Sequence, residues 1–177
     1  FEELGEMAEQ LGMDPSVKAG WYQKAADIRA RLIEKLWNGK CFVSHTLDGR
    51  EIEKDYGILG YMPVLLGHRL PEEILSKLIS ELKIEGYILS DYGFDKEKIA
   101  ARDLCDVAQN GVRGFIYHPF NVMLISALYY DCGEKEFASM VASRYCGAMV
   151  DVDNLCQSIS TFQGAKPGGE WLSWTAG

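Results

Sequence analysis

Residues 110–128 read Asn-Gly-Val-Arg-Gly-Phe-Ile-Tyr-His-Pro-Phe-Asn-Val-Met-Leu-Ile-Ser-Ala-Leu, and how this stretch is read decides the fold. Its first half mixes glycines and aromatics with no helical register. Its second half starts at Pro119, whose fixed φ suits a first helical turn and whose missing N–H costs no bond there. A helix is therefore expected from Pro119 to about Asp131, closed by Cys132-Gly133. Upstream, residues 83–118 form a long connection holding Gly86, Gly93, Gly111, Gly114, Tyr87, Tyr92, Phe94 and Tyr117. Only Lys96 to Val107 shows some helical pattern. Long connections of this kind inside a compact protein carry function more often than not.

Working outward, helical periodicity dominates. Leu4, Met7, Ala8 and Leu11 mark a helix over about 2–11, ended by Gly12. Asp14-Pro15 opens a second, with Asp as N-cap and an apolar stripe of Val17, Trp21, Ala25, Ile28, Leu32 and Leu36. Trp21 and Trp37 read as core residues. Asp48-Gly49 between extended segments signals a hairpin after Cys41-Phe42-Val43. An apolar segment from Ile58 to Leu66 is compatible with a helix starting near Pro63. Leu70-Pro71-Glu72-Glu73 opens a helix through Leu82, with Ile74, Leu75, Leu78, Ile79 and Leu82 inward. Another runs from Glu134 to Val150 with Phe137, Val141, Tyr145 and Met149 in register. Residues 151–177 are irregular until Trp171-Leu172-Ser173-Trp174, where a further helix could begin. The class is all-α, one domain over 1–177, and helical hairpins of this kind either stack into a solenoid or close into a toroid.

Composition narrows the function. The 177 residues are 47% apolar and 25% charged, enough apolar content to bury a core. Lys+Arg 18 against Asp+Glu 26 gives a net charge of -8, with no basic cluster. Nucleic acid and anionic membrane are poor partners for such a surface. Apolar runs fall far short of a bilayer span. The five cysteines, Cys41, Cys105, Cys132, Cys146 and Cys156, have no zinc-site spacing and read as thiols of a reducing, cytoplasmic compartment. Asp151 and Asp153 lack a calcium-loop pattern, so no metal and no cofactor is expected. The chain starts at Phe1 and stops after Trp174-Thr175-Ala176-Gly177, which reads as a piece of a longer protein.

The stretch 110–121 resembles the Tyr-Trp-Arg-Gly-Pro-Ile-Trp-Pro-Pro-x-Asn segment of six-hairpin, (α/α)6-toroid glycoside hydrolases. The resemblance is to families 37 and 63, which include trehalases and processing α-glucosidases. Arg113, Gly114, Pro119 and Asn121 match, while Val112 and Tyr117 stand where the family has Trp. The flanks follow the family's order. Trp21 to Trp37 and the hairpin after it resemble its long helix and short β insert. Pro63 to Gly67 before Leu70-Pro71-Glu72-Glu73, then Ser90-Asp91-Tyr92-Gly93-Phe94, resemble its next helix and loop. Leu172-Ser173-Trp174-Thr175-Ala176 resembles the opening of its last inner helix.

The resemblance implies the C-terminal part of an (α/α)6 toroid with a short β-hairpin insert. It implies inverting hydrolysis of α-linked gluco- or manno-type sugars, which needs an acid and a base about 6.5–9.5 Å apart. The family's acid lies in a Ser-Gly-Trp-Asp-like motif that this chain lacks. The base position, counted back from Gly164, is Gln157. An amide cannot take a proton from water, so the isolated chain is expected to be inactive, through a lost base, an introduced substitution or a shifted register. Tyr92, Arg113, Tyr117, His118, Trp171 and Trp174 are the residues expected to contact sugar. Asp91, Asp103 and Asp106 read as loop or capping residues. Exposed inner-helix faces imply self-association or association with the missing N-terminal half. Two alternatives remain: a carbohydrate-binding toroid without catalysis, and an α-helical scaffold unrelated to sugars.

Overall fold

The computed structural model describes residues 1–52, 57–95, 115–152, 158–160 and 166–168, with side chains placed for 1–52, 57–95 and 116–150. The helical pattern of Lys96 to Val107, the Trp171 to Ala176 segment, Asp103 and Asp106 lie outside the described residues. The chain forms two compact units, Phe1–Asn38 and Gly39–Gly177.

The first unit is a helical hairpin of α1 (Glu2–Gln10) and α2 (Pro15–Leu36). Asp14 caps α2 as its sequence promised: its carboxylate accepts from Ser16 N at 2.9 Å and from Ser16 Oγ at 2.6 Å. Those two bonds hold its pKa below the usual value. Gly5 makes the close approach of the pair possible, because a Cβ there would lie 2.6 Å from the Tyr22 ring. Phe1 stacks on Trp21 at 5.5 Å, and Arg29 reaches Glu2 at 3.0 Å. The apolar stripe of α2 departs from expectation. None of its residues is fully buried, Trp21 and Trp37 are half-buried, and Ile28 is 52% exposed. Length explains it: nine residues of α1 rise about 13 Å, whereas the 22 of α2 rise about 33 Å.

The second unit holds the larger core. It opens with the expected turn: Thr46 N donates to Arg50 O and Ile52 N to Ser44 O, both at 2.9 Å, around Gly49 at φ +83. The segment Ile58–Arg69 is helical as its sequence allows, but as a 3-10 helix that starts at Ile58 rather than near Pro63. Pro63 removes a backbone donor inside it, and Gly67 (φ 51, ψ -132) kinks it. That glycine is required twice over, since a Cβ there would sit 2.8 Å from Asp131 Cβ. Helix α3 (Glu72–Leu82) buries Ile74, Leu75, Leu78, Ile79 and Leu82, the stripe read from sequence. Glu81 also turns inward, at 8% exposure, where Lys77 at 3.3 Å and Lys40 at 3.8 Å offset the cost of burying its charge.

Next come two short strands, β1 (Leu89–Ser90) and β2 (Gly93–Phe94), paired antiparallel with Leu89 opposite Phe94 and Ser90 opposite Gly93. Strand β3 (Phe115–Tyr117) runs into α4 (His118–Tyr130). After Asp131 to Glu134, helix α5 spans Lys135–Val152. As expected, Cys132-Gly133 closes α4: Cys132 N donates to Ala127 O and Glu134 N to Leu128 O, with Gly133 at φ 73. Leu124, Ala127 and Leu128 of α4 and Ala138, Val141, Tyr145 and Ala148 of α5 fill the core. Strands β4 (Ser158–Ser160) and β5 (Lys166–Gly168) extend β3 into an antiparallel sheet of order β3-β4-β5, with Tyr117 opposite Ser158. The class is therefore all-α with small antiparallel additions.

Candidate functional site

The site is built where β2, β3 and the ends of α4 and α5 meet. The β1–β2 turn carries Asp91 and Tyr92 at its tip. It is locked internally by Ser90, whose Oγ donates to Gly93 O at 2.9 Å and accepts from Tyr92 N at 3.3 Å. Arg144 of α5 anchors it from below. Its guanidinium donates to Ser90 O at 3.1 Å and grips Glu85 through both terminal nitrogens at 2.9 and 2.8 Å. That fork holds the charge of Arg144 firmly, its pKa raised chiefly by the hydrogen bond to Glu85. Asp95 N donates to Ile88 O at 2.8 Å, and Asp95 bridges to Ile116, tying the hairpin to β3.

Two of the expected sugar-contact residues, Tyr92 and His118, meet here around Tyr145, and Tyr117 lies next to them at the end of β3. Tyr92 is half-buried and packs on a cluster of Ile116, Tyr145 and Ala148. His118, first residue of α4, places its ring 5.5 Å from that of Tyr145. Tyr117 meets Phe120 edge-on at 4.9 Å. Burial lowers the pKa of His118, favouring the neutral imidazole. Its Nδ1 and the Tyr145 hydroxyl are both buried without a hydrogen-bond partner among the described residues. Arg113, Gln157, Trp171 and Trp174 lie outside the described residues, so their expected places in the site are not part of this geometry.

Asn121 and Tyr145 were legible only as a motif match and a helix-register residue, yet both are central. Asn121 is 0% exposed, and its carboxamide accepts from Phe94 N and donates to Phe94 O, each at 2.8 Å. It also donates to Tyr117 O at 3.2 Å. The available signal was a polar residue in register with buried Leu124 and Leu128 on one helix face. Asp91 is exposed at the turn, in keeping with a loop residue.

This arrangement offers aromatic faces and neutral hydrogen-bonding groups, the equipment that sugar rings require. Away from this site, past the C-terminal end of α4, burial, helped by Asp131 and Glu134, pushes the Cys132 thiol up to about 11, far from a reactive thiolate. Among the described residues, no three His, Cys, Asp or Glu side chains converge to hold a metal ion, and no helix is long and apolar enough to cross a membrane. A separate groove of about 510 Å³ lies along α3, between His68, Ile79, Lys83 and Glu134. It contains none of the sequence-selected residues, and the Lys83–Glu134 ion pair at 2.7 Å lies in its wall.

No family model matches the sequence, and no curated protein matches it. Among solved structures, the chain is similar to the GH63 mannosylglycerate hydrolase from Thermus thermophilus, crystallised in complex with Tris. The TM-score is 0.70 at 19% identity, covering 97% of this chain. The chain spans only 40% of that enzyme's length. At this identity the likeness is one of fold: nearly the whole chain is folded like a portion of a GH63-type helical toroid.

Proposed function

We propose that this chain is the C-terminal part of a six-hairpin glycoside hydrolase acting on an α-linked gluco- or manno-type sugar. The observation that carries the reading is the meeting of Tyr92 and His118 around Tyr145 at one end of α4, beside Tyr117, within a fold similar to part of a GH63 enzyme. In this reading the half-buried rings of Tyr92 and Tyr117 present apolar faces to the sugar. Neutral His118 exchanges hydrogen bonds with its hydroxyls, and Arg113, Trp171 and Trp174 complete the contacts. Hydrolysis is inverting: a general acid outside this chain protonates the leaving oxygen, and a base on the opposite face activates water. Gln157 occupies the base position and cannot perform that step. The chain's partner is then the N-terminal half of the ring or a second copy. Val122, Met123, Tyr129 and Tyr130 expose apolar surface along α4, as that association requires. A reducing, cytoplasmic setting is part of this reading, drawn from the odd number and wide spacing of the five cysteines. Titration of unreduced protein with a thiol reagent would return five thiols, and fewer would count against it.

The test is Gln157→Glu, assayed on α-glucosides and α-mannosides with the N-terminal half supplied. Hydrolysis by the variant and none by the parent chain supports the reading. No hydrolysis by either, in a complex that assembles, leaves the second reading, a carbohydrate-binding toroid without catalysis. Gln157 itself favours that alternative.

A further inference from the structure

We infer that Asn121 is the positioning residue of this site, and that Gly93 is the position that lets it act. The inference rests on the sugar reading above. A fully buried carboxamide is costly unless it is bonded, and Asn121 uses both amide hydrogens and its oxygen. The pattern of those bonds is informative. Asn121 takes both backbone polar groups of Phe94, as a neighbouring strand would, so a helix side chain extends the β1–β2 pair. Its remaining bond goes to the carbonyl of Tyr117, the residue that leads into α4. One side chain therefore joins the hairpin that carries Tyr92 to the segment that carries Tyr117 and His118.

Gly93 is the other half of the joint. Its φ is +118, and a Cβ there would lie 2.9 Å from Asn121 Oδ1 and 3.4 Å from Tyr145 Cβ. A side chain would strain the backbone and push on the carboxamide and the tyrosine together. The buried aliphatic residues beneath, Leu124 and Leu128, are held by packing and do not depend on these bonds. Loss of the joint should thus loosen the placement of Tyr92 while the core persists.

The experiment compares the full 177-residue chain with Asn121→Ala, Gly93→Ala and a control, Leu128→Ala, which damages the core but not the joint. Two quantities are read: amide exchange at Gly93 and Phe94, and affinity for maltose and methyl α-D-mannopyranoside. Both joint variants should exchange faster at Phe94 and bind sugar more weakly, each by about tenfold, as loss of one or two hydrogen bonds implies. Leu128→Ala should keep parental affinity while folded. If Asn121→Ala binds as the parent does, or no worse than Leu128→Ala, the inference is overturned. Should Asn121→Ala not fold, Gly93→Ala carries the same comparison. If the parent chain binds neither sugar, the sugar reading falls. Exchange at Phe94 then still decides whether Asn121 holds the hairpin, and unchanged exchange overturns that as well.

Discussion

Replacing Tyr145 by Phe removes one oxygen that has no hydrogen-bond partner among the described residues. Tyr145 is 6% exposed, its hydroxyl is buried, and no described group bonds it. A buried hydroxyl without a partner carries a desolvation penalty, while the ring that packs on Tyr92, Ile116 and His118 is the same in Phe. The substitution should therefore stabilise the fold, against the usual trend for core changes, by about 1 kcal/mol. For a chain of this size that is a rise in Tm of roughly 2–4 °C. Urea titration followed by circular dichroism would measure it, with the midpoint moving up at constant slope. A loss of about 1 kcal/mol or more would overturn this expectation, because it would mean the hydroxyl is bonded in the folded state.

Two further outcomes follow from the same structure. Leu78→Ala, at a fully buried site on α3, should cost roughly 2–5 kcal/mol in urea unfolding, and a cost below that range would mean α3 is not the core helix described here. His118 is held below its ordinary pKa of 6.5 by burial, so the unfolded chain takes up its proton first as pH falls. Its effect on stability is absent above about pH 6.5 and becomes destabilising below it, so His118→Gln should flatten part of the acid slope below about pH 6.5. Parallel slopes for parent and variant would contradict the burial of His118.

Helices were legible where periodicity is long and a breaker marks the end. The α3 stripe, the start of α4 next to Pro119 and its stop at Cys132-Gly133 were all read from residue spacing, and each reappears in the structure. Strands of two or three residues are too short for an alternation to register, which is why β1–β2 read only as a glycine-containing connection. The pairing of Phe115 with Ser160 joins segments far apart in sequence and leaves no local trace. Trp21 looked like core because periodicity reports which face is apolar and not whether anything covers it. At the site, Tyr92, Tyr117 and His118 could be selected as chemistry-bearing residues. The joint made by Asn121 and Gly93 could not, because it depends on two backbone groups of Phe94 that only the folded chain brings within reach.

Whether this end of α4 receives a sugar is tested most directly by titrating the ¹⁵N-labelled chain with methyl α-D-mannopyranoside and maltose, followed residue by residue in amide spectra. Saturable shifts concentrated at Tyr92, Gly93, Tyr117 and His118 are expected. Spectra unchanged at high sugar concentration, or shifts that leave Tyr92, Gly93, Tyr117 and His118 unmoved, would contradict the sugar site proposed here.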